Sequence, residues 1–183
     1  MYEQVKLSKD IEAIAIPSGE IVEVKEGTEA TITQSLGGSY TIMTDRGLMV
    51  RVSGEAVSAI GKPVVEQIKI EGDVSKDGLE KLVWEQLRTC FDPEIPVNIV
   101  DLGLVYLCDT QPVETSPGTY TVQVKMTLTA PACGMGPVLA ADVEQKIRAL
   151  PKVKDVRVEI VFDPIWDRSM MSEAAKLQLG MYY

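Results

Sequence analysis

The 183-residue sequence contains no histidine. That removes the usual base of Ser-His-Asp and Cys-His sites, and the commonest ligand of zinc, non-haem iron and haem. Cysteine is scarce as well. The three thiols, Cys90, Cys108 and Cys133, are far apart and form no C-x-x-C pair. This argues against a complete four-cysteine zinc or iron–sulfur site within one chain. No stretch approaches the ~18 apolar residues of a membrane span, so no membrane partner is expected. Glu3, Asp10 and Glu12 precede any long apolar run, which speaks against a secretory leader. An odd cysteine count in such a chain fits a reducing cytosol, so a cytoplasmic location is expected. Basic charge is short too. Lys plus Arg number 18 against 27 Asp plus Glu, a net charge of -9. Phosphate binding needs a basic patch, so nucleic acid is an unfavourable partner.

Apolar content is ample. Hydrophobic residues make up 45%, enough for a packed core and too many for a disordered chain. The length suits one domain or two small ones. Two textures divide it, and the expected domains are 1–70, a small β-rich domain with its linker, and 71–183, an α+β domain with a C-terminal helical tail.

In the first stretch, Ile, Val and Thr dominate and glycine recurs every few residues. Strands are expected at 21–24, 30–34, 40–43 and 48–52, with a hairpin turn at Leu36-Gly37-Gly38-Ser39 and another at Asp45-Arg46-Gly47. Short strands with glycine turns point to a small antiparallel barrel or curled sheet. Residues 55–60 suit a single helical turn. Residues 62–73, interrupted by Pro63, read as an extended linker or a last strand.

From Ser75 the period changes. Ser75 is a candidate N-cap, and Leu79, Leu82, Val83, Leu87 and Cys90 share one helical face before Pro93. Residues 99–107 read as a strongly apolar strand. Residues 119–128 alternate, as a strand with one wet face does. A second helix is expected near Gly136-Pro137, buried through Leu139, Val143, Ile147 and Leu150 and stopped by Pro151. Residues 153–161 make a third strand. The order helix, strand, strand, helix, strand implies one sheet with both helices packed on it. In the tail, Ser169 could cap a short helix reaching Leu179.

The densest chemical constellation runs from Thr127 to Pro137. Cys133 lies just before a helix start, where backbone N–H groups lack partners and the dipole is positive, an environment that stabilises a thiolate. Gly134 and Gly136 let backbone approach a ligand. Thr127 and Thr129, two apart, are expected to share one side of the strand end. The competing reading makes Cys133 a small buried apolar residue, and the pattern by itself leaves the two even. The loop has neither a G-x-x-x-x-G-K-[ST] nor a G-x-G-x-x-G signature. A second constellation holds Asp92, Glu94 and Asp101 between stiffening prolines. Its carboxylates could take a hard cation, orient a thiol or bind a partner, but a solvated acidic turn is favoured on spacing. Cys90 and Cys108 read as structural. Trp84, Trp166 and the tail methionines read as packing.

Residues 75–180 resemble the iron–sulfur assembly domain shared by SufT, PaaD of phenylacetate degradation and the eukaryotic cytosolic iron–sulfur targeting proteins. The resemblance rests on Asp92-Pro93-Glu94-Ile95-Pro96-Val97-Asn98-Ile99-Val100-Asp101-Leu102-Gly103-Leu104-Val105-Tyr106, and on Thr127-Leu128-Thr129 followed by Pro131-Ala132-Cys133. It also rests on Phe162-Asp163-Pro164-Ile165-Trp166 with Met171-Ser172-Glu173-Ala174-Ala175-Lys176. The front piece resembles that of SufT through residues 33–40, so the resemblance extends to nearly the whole chain. It implies an auxiliary, non-enzymatic role in maturing iron–sulfur proteins. Cys133 then matches the reactive cysteine and metal ligand, Asp92 and Glu94 the acidic loop, and Thr127 and Thr129 the strand-end threonines. Gly134 belongs to the same supporting loop. One thiolate per chain is half a site. A transient iron–sulfur cluster or iron would therefore be shared between the subunits of a homodimer, or with a partner. The expected partners are client proteins and assembly or carrier proteins. The alternative is a thiol-dependent enzyme with Cys133 as nucleophile and Asp92 or Glu94 as base. A third reading makes the β-rich domain a docking module whose acidity favours basic protein partners.

Overall fold

In a computed structural model, residues 3–64, 75–92, 95–130 and 134–181 are described. The chain forms two units, Met1–Glu66 and Gln67–Tyr183. The reading of 62–73 as linker or strand falls largely outside the described residues.

The first unit is a six-stranded antiparallel sheet. Its strands are β1 (Glu3–Lys6), β2 (Ile11–Ala15), β3 (Ile21–Val24), β4 (Glu29–Leu36), β5 (Ser39–Thr44) and β6 (Met49–Val52), in the order β1-β4-β5-β6-β2-β3. Alternation explains the core: Ile11, Ala13, Ala30, Ile32, Ile42, Val50 and Val52 are buried, and Val57 and Ile60 of a 3-10 turn, Gly54–Ile60, join them. The β4–β5 hairpin closes on two residues, with Gly37 at φ 59° and Gly38 at φ 79°. Positive φ at both central positions matches the right-handed twist of the flanking strands, and glycine meets it without a Cβ clash.

The second unit has the order expected for it: α1 (Lys76–Leu87), β7 (Val105–Pro112), β8 (Tyr120–Met126), α2 (Gly136–Arg148) and β9 (Val153–Ile160), then α3 (Glu173–Gln178) in the tail. The chain is therefore α+β. Ser75 caps α1, its hydroxyl accepting the Gly78 N–H at 3.2 Å. Leu79, Val83 and Leu87 of α1 and Leu139, Val143 and Ile147 of α2 meet Val122, Val124, Met126 and Val156 of the sheet in one core. Lys146 Nζ donates to the Thr89 carbonyl at 2.7 Å, so α2 also holds the end of α1.

Two expectations fail in instructive ways. The apolar run at 99–107 is not one strand. Residues 99–104 form tight turns, with Ile99, Leu102 and Leu104 fully buried, and β7 starts only at Val105. The Asn98 side chain is the cause. Its Oδ1 accepts the N–H groups of Val100 (3.1 Å) and Asp101 (2.9 Å), diverting them from a ladder. In the tail, Ser169 does not cap the helix. It sits in a 3-10 turn, Arg168–Met170, capped by Asp167. Met171 is extended, and Ser172 caps α3 by accepting the Ala175 N–H at 3.1 Å.

Candidate functional site

Strand direction gathers the chemistry at one end of the second unit. β8 and β9 are parallel, and β7 runs antiparallel to β8. The segments after β8 and β9 and the segment before β7 therefore share an edge. Two backbone bonds stitch them together: Thr127 N–H to the Leu104 carbonyl and Val161 N–H to the Met126 carbonyl, both 2.8 Å. The described parts of the three blocks that carried the sequence resemblance thus converge, although 20 to 60 residues separate the blocks along the chain.

The loop at 92–104 is internally braced. Phe91 bridges to Asn98, closing its base. Asp92 is buried, and its Oδ1 accepts the Ile95 N–H at 3.0 Å. Asp92 thus caps a local turn as part of an acidic turn, but its side chain is buried rather than solvated. Asp101 Oδ2 accepts from Asn98 Nδ2 at 2.6 Å, and its Oδ1 lies 3.4 Å from Arg88 Nη1. Both carboxylates therefore hold the loop. Glu94 lies outside the described residues.

The tail clamps the same loop, which the sequence reading did not foresee. Trp166 Nε1 donates to the Leu102 carbonyl (2.8 Å), and Tyr106 OH donates to the Pro164 carbonyl (2.9 Å). Ser172 N–H donates to the Asp101 carbonyl (2.8 Å), and Gln178 Nε2 to the Pro96 carbonyl (2.9 Å). Trp166 is thus packed as expected, whereas Trp84 on α1 is partly exposed. Gly103 marks the closest approach. At φ 72°, a Cβ there would overlap the Met170 carbonyl oxygen and lie 2.8 Å from its carbon. The Asn98-x-x-Asp101 spacing was the one local signal of this arrangement.

Thr127 and Thr129 do not share a strand face. The strand ends at Met126, and Thr127 and Leu128 are consecutive buried residues, so alternation has stopped. Thr129 is half-buried and Ala130 exposed. Gly134 is exposed, and α2 opens at Gly136 with Pro137 in its first turn. Met135 gives that end no side-chain cap, and its first turn holds no acidic residue to offset the dipole. Gly136 lets the helix start lie against the segment after β8, since a Cβ there would come within 2.6 Å of Leu128 Cδ1.

The described thiols are both unsuited to chemistry. Cys90 is fully buried, with Sγ 3.6 Å from the Gln86 carbonyl. Cys108 on β7 has its pKa pushed up to about 11, first by burial and then by the charges of Glu80 and Asp109. Cys133 lies outside the described residues. Among the described residues, no group of three or more Cys, Asp or Glu is placed to hold a metal ion, and no helix is long and apolar enough to cross a membrane.

Comparison with known proteins bears on the second unit. The family model for iron–sulfur cluster assembly proteins matches residues 80–160. An Fe-S protein maturation auxiliary factor of Porphyromonas gingivalis is 44% identical over 101 residues, covering 55% of this chain and 90% of that protein. The Fe-S protein maturation auxiliary factor SufT of Staphylococcus aureus is 40% identical over 90 residues, covering 49% of this chain and 96% of that protein. A crystal structure of a domain of unknown function, DUF59, from Bacillus anthracis is 32% identical, covering 58% of this chain and 95% of that one, with a TM-score of 0.49. These matches extend over about half the chain, so they leave the likeness of the first unit to SufT untouched. With three resemblance blocks meeting at one sheet edge and relatives matched over nearly their full length, the chain belongs to the iron–sulfur cluster assembly protein family.

Proposed function

We propose that this protein is a non-enzymatic auxiliary factor in the maturation of iron–sulfur proteins, acting through the thiol of Cys133. The observation that supports this reading is the fate of the other two thiols. Cys90 is spent on packing, and Cys108 is held protonated by burial and by neighbouring carboxylates. In the sequence Cys133 precedes a helix whose cap residue, Met135, makes no side-chain cap bond and whose first turn holds no acidic residue. Partial positive charge at such an end favours a thiolate.

Iron or a cluster is the cargo in this scheme. One thiolate leaves the remaining coordination positions to a second copy, a carrier or the client. Asp92 and Asp101 keep the adjoining loop in shape through the hydrogen bonds above, and the tail buttresses it from outside. Their carboxylates act as positioning groups.

The test is rescue of a client iron–sulfur enzyme's activity in a strain lacking this protein. Wild type and Cys90→Ser should restore it, and Cys133→Ala should not. Full rescue by Cys133→Ala at equal protein level would refute the reading. Anaerobic reconstitution separates cargo binding from thiol exchange: iron and sulfide uptake should fall in Cys133→Ala. The second reading, a thiol enzyme, would instead be favoured by turnover on thioester or disulfide substrates that Cys133→Ser abolishes.

A further inference from the structure

The sheet of the first unit ends differently on its two sides. At the β1 edge, charge is balanced: Lys62 Nζ binds both carboxylate oxygens of Glu3, at 2.7 and 2.6 Å. At the other edge, β3 pairs with β2, and no strand among the described residues pairs with its outer side. There Glu12 stands directly opposite Glu23.

Hydrogen-bond parity sharpens this. Ala15 N–H donates to the Glu20 carbonyl at 2.8 Å, so Ala15–Glu20 is a hydrogen-bonded pair. Pairs alternate along an antiparallel ladder, which makes Ala13–Val22 hydrogen-bonded and both Ile14–Ile21 and Glu12–Glu23 non-hydrogen-bonded. Two consequences follow. Glu12 and Glu23 occupy the closer type of pair, where like charges directly opposite destabilise the sheet. The outward backbone N–H and C=O groups of β3 belong to Ile21 and Glu23. These residues also show their side chains to solvent, and Ile21 is 72% exposed.

An open groove of about 470 Å³ lies here, lined by Asp10, Ile11, Glu12, Ile21 and Glu23. Lys25 Nζ reaches two of its carboxylates, Asp10 at 3.0 Å and Glu23 at 2.6 Å. Glu12 makes no ion pair among the described residues, and Glu20 and Glu26 add exposed acid beside the strand. Unpaired backbone, an exposed apolar side chain and excess negative charge therefore coincide on one strand.

We propose that the outer edge of β3 receives an extended, Lys- or Arg-bearing segment of another protein as an added strand. The main-chain groups of Ile21 and Glu23 would form the ladder, Ile21 would be covered, and the cations would sit against Glu12 and Glu23, relieving their repulsion. Strand addition takes affinity from main-chain bonds and specificity from alternate side chains. A second copy is a poor occupant because it brings the same carboxylates to the same edge. The inference does not depend on Cys133 and gives the first unit a task of its own.

The test is an NMR titration of the full-length chain with a synthetic peptide of alternating Lys and Val. The expected result is saturable shifts over residues 11–14 and 21–24, with slowed amide exchange at Ile21 and Glu23. A Glu/Val peptide should not bind. Ile21→Pro removes an outward N–H while leaving every carboxylate, and should weaken binding about tenfold. Glu23→Gln should weaken it and flatten its salt dependence. Unchanged exchange at Ile21 and Glu23, or shifts spread over the whole acidic surface, would overturn the proposal. So would wild-type affinity in folded Ile21→Pro or, if that variant does not fold, in Glu23→Gln.

Discussion

Replacing Gly103 by alanine probes the junction of loop and tail. Gly103 has φ 72°, and a Cβ there would overlap the Met170 carbonyl oxygen, 2.8 Å from its carbon and 3.0 Å from its Cβ. Backbone, not the end of a flexible side chain, must move. The left-handed conformation costs an alanine ~1–2 kcal/mol. Pushing Met170 away strains two flanking bonds, Trp166 Nε1 to the Leu102 carbonyl and Ser172 N–H to the Asp101 carbonyl. At ~1 kcal/mol each, the total loss is about 3–4 kcal/mol. Gly118→Ala is the control. Its φ is 80° with nothing within 4 Å of the added Cβ, so it carries the conformational cost without the clash. Urea denaturation of both variants gives the contact contribution by difference, about 2 kcal/mol. Trp166 emission, read in a Trp84→Phe background, should shift to the red in Gly103→Ala only. Equal stabilities and equal emission in the two variants would refute the claim that the tail is clamped at Gly103.

Alkylation followed by mass spectrometry should label Cys133 first at neutral pH. With a pKa of about 11, Cys108 should gain reactivity only as pH climbs toward that value. At pH 7.5 its thiolate fraction is roughly 100-fold below that of the same thiol at its unshifted value of 9.0. Labelling of Cys90 or Cys108 as fast as Cys133 would count against the allocation of roles. The linked stability has the matching sign. A raised thiol pKa favours the folded state below the ordinary value, and that contribution is lost as pH rises toward about 11. Thr110 is fully buried on β7, and its hydroxyl has no hydrogen-bond partner among the described residues. Thr110→Val should stabilise the protein by about 1 kcal/mol, and a loss of stability would show that the hydroxyl is satisfied. Ser172→Ala should cost about 1 kcal/mol as a lost helix cap, and Ser169→Ala close to nothing. The reverse order in thermal melts would contradict the cap assignment.

Much of the fold was legible in the sequence because local rules and burial agree there. The 3.6-residue stripes of α1 and α2, the alternation of β8, the Ser75 cap and the Gly37–Gly38 turn each follow from a few adjacent residues. The blocks at 92–106, 127–133 and 162–176 were readable as a family resemblance, and Cys90 as a core thiol, from the sequence alone. Tertiary structure decided the rest. Apolar residues at 99–104 satisfy a strand and a buried turn equally well, and Asn98 chose between them by capturing two N–H groups. Thr127 and Thr129 looked equivalent until the strand ended at Met126 and buried only the first. The raised pKa of Cys108 comes first from its burial and then from the charge of Glu80, a residue 28 positions away. The clamp of residues 164–178 on residues 96–106 has no local signature beyond Gly103 and the Asn98-x-x-Asp101 spacing, because it consists of bonds between distant backbone carbonyls and the tail. Periodicity tells which face of an element is buried; the direction of β8 and β9 decided which loops meet.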